Sequence, residues 1–362
     1  MSKRVLERLR LTHFRNLRNV ELTPGARFNV VFGDNGQGKS NLLEAIDYLG
    51  TLGSFRGAKA DELIEESSPS AELLAKVTGD VLPHEHRIRI LREGRREVQL
   101  DGKRPRSRTS YMQALPVVLF HPGELNLTLG SAEPRRAFLD RLLVRLDETY
   151  ASALAAYTRA LASRNRLLKQ DSPNRRALTA YDELLASAGS VLGQARAALC
   201  DDLGPRVADA FAEISESGPA VSLLYEPRVT PTVEALLAAL RGAIDKDIAR
   251  GFTADGPHAD ELAVRLRDTR ARRYASQGQH RAIVLALKVA ELTELERRTG
   301  HTPILLLDDV SSELDRDKSR RFFALLTRLG GQVFLTTTRP DVIVVEGERR
   351  DFRVEAGVVH EM

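Results

Sequence analysis

The sequence predicts an α/β fold: a mainly parallel sheet with helices on its faces, interrupted by an inserted, mainly helical arm. Three observations predict it. A short apolar run, Phe28–Phe32, ends on a glycine-rich loop, and apolar residues at helical spacing follow at Leu42, Leu43, Ile46 and Leu49. Strand and helix signals alternate again near the C-terminus. Between these regions, from Glu133 to Gly218, the chain is rich in Ala, Leu, Arg and Glu with long helical periodicity.

Taken in order, Val20–Leu22 and Phe28–Phe32 read as strands and Lys39–Gly50 as a helix. From Leu73 to Leu100 short strands are expected: His86 to Arg92 alternates, and Glu93-Gly94 and Asp101-Gly102 are turn dipeptides. The helical arm breaks at Asp171-Ser172-Pro173-Asn174. Leu262–Leu266 is then a strand, Arg281–Arg298 a helix, Ile304–Leu307 a buried strand, Asp315–Leu329 a helix and Val333–Thr337 a last core strand. The expected division is an N-terminal lobe at 1–125, an arm at 126–249 and a C-terminal lobe at 250–362.

Composition narrows the class of protein. The chain has 362 residues, 42% of them hydrophobic, enough for two domains with buried cores. A formal charge of +4 tilts it toward anionic partners such as nucleotides or nucleic acid. Cys200 is the single cysteine, which excludes an internal disulfide and a cysteine metal site and suits a reducing compartment. Met1 to Leu11 interleaves charge with apolar residues, unlike a secretion signal. No segment approaches the roughly 20 apolar residues of a membrane span. The expectation is a cytoplasmic protein without a membrane partner.

The segment Gly33-Asp34-Asn35-Gly36-Gln37-Gly38-Lys39-Ser40 has the spacing of a P-loop, and its context of strand before and helix after is the one the motif requires. Glycines let the backbone curl so that N–H groups point at phosphate oxygens. Lys39 places a compact charge on the β and γ phosphates, Ser40 supplies a hydroxyl for Mg²⁺, and the helix that runs on through Asn41 offers its positive end. The cofactors implied are ATP and Mg²⁺.

Two further constellations fit this chemistry. Ile304–Leu307 ends in Asp308 and Asp309; a carboxylate at such a strand end holds Mg²⁺, with Asp308 in that role and Asp309 as general base or water-positioning group. Its plainer reading is a surface turn. Ser276-Gln277-Gly278-Gln279-His280 precedes a long amphipathic helix, so that its serine and glycine make either another anion-binding N-terminus or an ordinary helix cap. Val310 to Asp315 likewise has the look of a capped helix start.

The order of these motifs resembles the ABC-type ATPase heads, including the SMC-like DNA repair ATPases. Within that class the chain is similar to the RecF family of bacterial recombination mediators. The resemblance rests on His13-Phe14-Arg15-Asn16-Leu17, Gly33 through Ile46, Arg135 through Asp140, Gly256-Pro257-His258-Ala259-Asp260, Ser276 through Leu287, and Leu305 through Asp315. It implies an ATP-dependent homodimer in which Ser276 of one subunit caps the γ-phosphate bound by another, with Gln279 beside it. It also implies binding to double-stranded DNA and to double-strand/single-strand junctions, slow ATP hydrolysis, and action with RecO and RecR to load RecA at gaps, supporting the SOS response. By the same resemblance Arg15 reaches the nucleotide phosphates; a surface salt bridge is the alternative. A transporter-type ATPase subunit and a structural SMC-like DNA-bridging protein are the competing classes. The first expects Glu where Asp309 stands and a histidine where Thr336–Thr338 stand; the second expects longer coiled coils. No glutamine near Pro116–Phe120 fits the usual metal-contacting position, leaving His121 or Glu124.

Two basic clusters are candidates for DNA phosphate contact or a solvated face: Lys103-Arg104-Pro105-Arg106-Ser107-Arg108, and Arg92 with Arg95 and Arg96. Aromatic residues are only 5% of the chain and Trp is absent, which argues against an extended stacking platform for single strands.

Overall fold

A computed structural model describes residues 2–78, 82–216, 218, 220–309 and 316–362. Along the chain come β1 (Ser2–Lys3), β2 (Leu6–Phe14), β3 (Leu17–Leu22), β4 (Phe28–Phe32), α1 (Lys39–Thr51), α2 (Ala60–Leu63), β5 (Ser70–Val77), β6 (His84–Leu91), β7 (Arg96–Leu100), α3 (Arg108–Ala114) and β8 (Val117–Phe120). Then follow α4 (Asn126–Leu129), α5 (Ala132–Leu146), α6 (Glu148–Leu168), α7 (Arg175–Ser215), β9 (Val221–Glu226), α8 (Val233–Gly242), α9 (Ile244–Arg250), β10 (Glu261–Leu266), β11 (Thr269–Arg270) and α10 (Ala271–Tyr274). The C-terminal part holds α11 (Gln277–Thr299), β12 (His301–Thr302), β13 (Ile304–Leu307), α12 (Arg316–Leu329), β14 (Val333–Thr337), β15 (Arg349–Glu355) and β16 (Val358–Glu361).

Contacts divide the described chain into two units, one of 1–124, 209–218 and 276–362, the other of 125–208 and 219–275. This division differs from the expected C-terminal lobe at 250–362: residues 250–275 fall in the second unit. The cause is strand pairing, since β10 pairs antiparallel with β9 along its full length, Glu261 opposite Glu226 and Leu266 opposite Val221, and β11 extends the same three-stranded sheet. No local signal distinguishes such a strand from one in the parallel sheet.

The first unit contains a six-stranded sheet in the order β16-β15-β4-β14-β13-β8, in which all neighbours are parallel except β15 and β16. Its central strands β4, β8, β13 and β14 are almost wholly buried, as strands covered on both faces must be. Register brings Phe32 beside Thr337, and Leu307 beside both Leu335 and Phe120. The residues that follow these strands therefore emerge at one edge, where open α/β sheets place their ligands. A second, antiparallel sheet, β3-β2-β5-β6-β7, alternates buried and accessible residues along β5 and β6, the mark of a sheet with one covered face. The β15–β16 hairpin was not evident in the sequence. The predicted helix from Asp315 is α12 from Arg316; the cap reading of Val310 to Asp315 lies outside the described residues.

Candidate nucleotide site

α1 opens on Gly38, which has φ +117 and no side-chain cap, and its first turn contains no acidic residue. Its leading N–H groups are thus left for an anion, in the field of the positive helix end. The loop ahead of it is held at close quarters. A Cβ on Gly33, where φ is +147, would lie 2.3 Å from the Val354 carbonyl oxygen of β15. One on Gly38 would lie 2.8 Å from Asn16 Oδ1. Only glycine meets both the backbone angle and the space.

Two segments distant in sequence brace the loop. Asn16 Nδ2 donates to the Gln37 carbonyl at 3.0 Å, and Asn16 Oδ1 accepts from Asn41 Nδ2 at 2.8 Å. The turn between β15 and β16 adds Gly357 N–H to the same carbonyl at 3.0 Å and Ala356 N–H to Gln37 Oε1 at 2.6 Å. The Gln37 side chain is therefore turned to the hairpin. Asn16 and the hairpin were not singled out as site residues, because their role is to hold backbone that only the fold brings near.

Lys39 Nζ donates to the carbonyls of Gly33 at 2.7 Å and Asp34 at 2.8 Å. Burial lowers its pKa from the ordinary lysine value, while Asp309, Asp308 and Asp34 work in the opposite direction. Ser40 Oγ donates to Asp308 Oδ1 at 2.8 Å, and Thr336 Oγ1 donates to the same oxygen at 2.7 Å. Thr336 Oγ1 in turn accepts from Asp309 N–H at 2.9 Å. Asp309 leaves the strand with φ +52, which turns it away from the direction of β13. In the sequence Thr336 belongs to the Thr336–Thr338 run that stands in place of a histidine, and a hydroxyl near the end of a buried strand is its signal.

A cleft of about 250 Å³ is lined by Asn35, Gly36, Gly38, Lys39, Ser40 and Asn41, with Asp309, Thr336, Thr338 and Arg56 completing it. Gly33, Asp34 and Gln37 are not among its lining residues. Arg56, which the sequence did not single out, donates to Asn41 Oδ1 at 2.8 Å and sits over the Phe55 ring.

Other expected residues stand elsewhere. Arg15 forks onto the buried Glu44 carboxylate at 2.9 and 3.0 Å and reaches the Glu62 carbonyl, so the salt-bridge alternative describes its arrangement here. Ser276 and Gln279 form a reciprocal capping box at the start of α11, with Ser276 exposed and neither residue lining the cleft. Glu124 is engaged by Lys288 at 3.1 Å, and His121 stacks against Phe55 with ring centroids 4.9 Å apart.

The two basic clusters separate by role. Arg96 donates to the Leu52 carbonyl and Arg108 to that of Thr51 at 3.1 Å, satisfying carbonyls at the C-terminal end of α1. Arg92 is spent on the carbonyls of Ser68, Glu65 and Glu66. Lys103, Arg104 and Arg106 remain exposed without a side-chain partner among the described residues. No helix among the described residues is long and apolar enough to cross a membrane.

Parallel strands converging on a glycine-rich loop, with a serine-bound carboxylate beside it, define a P-loop ATPase head of the SMC and ABC kind. The profile of the RecF/RecN/SMC N-terminal domain family matches residues 5–355. The chain is 40% identical over 357 residues to the DNA replication and repair protein RecF of Myxococcus xanthus (95% of this chain, 92% of that one), and 39% identical over 362 residues to that of Anaeromyxobacter sp. strain Fw109-5 (97% of each). The solved structure of the recombination mediator protein RecF with ATPrS in the RecFOR pathway superposes with a TM-score of 0.91 at 29% identity, covering 100% of this chain and 99% of that one. The Smc head domain of Pyrococcus furiosus shares the fold at a TM-score of 0.59 and 19% identity, over 99% of this chain and 96% of that one. The chain belongs to the RecF family of DNA replication and repair proteins.

Proposed function

We propose that this chain is an ATP-dependent DNA-binding protein of recombinational repair, which dimerises on double-stranded DNA around bound ATP and hydrolyses that ATP slowly. The observation that carries the reading is the cluster of Ser40, Asp308, Thr336 and Asp309 beside the uncapped start of α1. Ser40 and Asp308 offer a hydroxyl and a carboxylate, hard oxygen donors of the kind Mg²⁺ takes together with phosphate oxygens and water. Bound there, the ion would neutralise phosphate charge. Lys39 exchanges its two carbonyl partners for phosphate oxygens, and Asn35 through Asn41 supply N–H groups around them.

Asp309 is the group that holds the attacking water. It is one methylene shorter than glutamate and is fixed through its backbone N–H by Thr336, so water is held at a longer reach and turnover is slow. Ser276 and Gln279 lie outside the cleft of their own chain, which supports a role at the γ-phosphate of a second copy. Arg15 joins the phosphates only after leaving Glu44. Lys103, Arg104 and Arg106 form the DNA-facing charge, contacting backbone phosphates without reading sequence. Junctions between double and single strands, RecO and RecR as partners, RecA loading, SOS induction and a cytoplasmic location follow by family membership.

The test is size-exclusion chromatography of the full chain with Mg²⁺ and ATP, with and without duplex DNA. A shift to dimer that is lost in Ser276→Arg, while that variant still binds ATP, is the expected result. A wild-type protein that stays monomeric under both conditions overturns the sandwich mechanism.

A further inference from the structure

We propose that the second unit contains a separate nucleotide-binding cavity, which seats a base against Tyr274 and its phosphate on Arg272 and Arg273. The cavity has a volume of about 620 Å³, inside the range of about 300–1,000 Å³ typical of small-ligand sites. None of its residues belongs to the phosphate-loop cleft. Its apolar part comes from Leu127 and from Leu262 through Val264 on β10.

The charges around it sort into two kinds. Arg135 forks onto Glu261 at 2.7 and 2.8 Å, and Arg270 pairs with Glu226 at 2.5 Å, so these cations are neutralised. Arg272 and Arg273 are exposed, line the cavity, and have no hydrogen-bond or ion-pair partner among the described residues. The one carboxylate lining the cavity among the described residues, Glu261, is already held by Arg135. Two adjacent, uncompensated guanidinium groups thus border an apolar hollow. Planar guanidinium forks match phosphate oxygens bidentately.

Tyr274 completes the description. It is 68% exposed in a chain with few aromatic residues, lines the same cavity, and has no partner among the described residues. An exposed ring beside unpaired arginines suits a flat, partly apolar, anionic ligand, as base stacking and phosphate pairing need. An acidic peptide would satisfy the charges and leave the ring without a face to cover. A nucleoside phosphate uses both, whether as a free nucleotide or as one unit of a DNA strand. One ring provides one stacking position, not a platform.

The experiment is fluorescence anisotropy of a fluorescein-labelled, single-stranded twelve-nucleotide DNA with the full-length protein, in EDTA and without ATP. Arg272→Glu/Arg273→Glu is expected to weaken binding at least tenfold, and Tyr274→Ala about five- to 100-fold. Labelled duplex is expected to be insensitive to Tyr274→Ala. Displacement of the probe by AMP identifies a free nucleotide as sufficient; displacement by unlabelled strand alone identifies a strand segment. Either assigns the site. Unchanged single-strand affinity in both variants overturns it, as does a charge-reversal effect without a Tyr274 effect. Displacement by oligoglutamate as effective as by unlabelled strand overturns it in favour of an acidic peptide. Lys39→Ala, which abolishes binding of a fluorescent ATP analogue, is expected to leave the oligonucleotide affinity unchanged, so the two sites fail independently.

Discussion

Replacing Asn16 with Ala tests whether the phosphate loop is pre-organised by a side chain that never enters the cleft. The substitution removes the hydrogen bond to the Gln37 carbonyl at 3.0 Å and the one from Asn41 Nδ2 at 2.8 Å. Both are exposed, so each contributes toward the low end of the usual net range, about 0.5–1 kcal/mol. The Gly357 and Ala356 N–H bonds to Gln37 remain, so the hairpin still anchors the loop. Together the lost bonds shift the loop toward other conformations by about 1–2 kcal/mol. Apparent affinity falls by the fraction of loop that is binding-competent, which corresponds to about five- to 30-fold. Titration with a fluorescent ATP analogue in Mg²⁺ measures the affinity, and thermal denaturation checks that the fold is intact. An affinity within twofold of wild type, with an unchanged melting transition, would refute the reasoning.

Three further outcomes are expected. Ser40→Ala removes the hydroxyl that bonds Asp308 while Thr336 still holds that carboxylate, so the fold survives and the Mg²⁺-dependent part of ATP affinity drops about tenfold or more, read by titration with and without the ion. Arg164 is fully buried with Asp182 at 2.8 Å and Asp247 at 2.7 Å; Arg164→Met strands both carboxylates and costs about 3–5 kcal/mol in urea unfolding, most of it recovered when both Asp residues become Asn. His86 is buried with neither ring nitrogen hydrogen-bonded among the described residues, and burial takes its pKa from 6.5 to about 3. The unfolded chain therefore takes up this proton first, and the stability contribution, present above pH 6.5, is lost as pH falls toward 3. Between pH 7 and pH 5 the wild type is expected to lose about 2 kcal/mol more than His86→Phe; equal losses in chemical denaturation would remove His86 as the cause.

What the sequence determined by itself was everything carried by local pattern. The apolar runs Phe28–Phe32 and Ile304–Leu307 can be satisfied only by burial on both faces, and the glycines and Lys39 have a spacing whose physics is internal to eight residues. Helix periodicity located α6, α7 and α11 for the same reason. Asp308 was legible as the carboxylate that follows the apolar run Ile304–Leu307, although β14 lies between that strand and β4.

The tertiary structure decided what depends on pairing between distant segments. Whether β10 joins the parallel sheet or β9 is a choice of hydrogen-bond partner, which an apolar hexapeptide does not encode alone. Arg96 and Arg108 looked like DNA contacts; only the fold shows that the end of α1 consumes them, leaving Lys103, Arg104 and Arg106 as the uncommitted cations of that loop. Asn16, Thr336 and the 356–357 turn act through hydrogen bonds to segments that only the fold brings within reach. The glycine-rich loop was thus fixed in identity by its own chemistry and in shape by segments remote from it, because a backbone that must curl around phosphate cannot pair with itself.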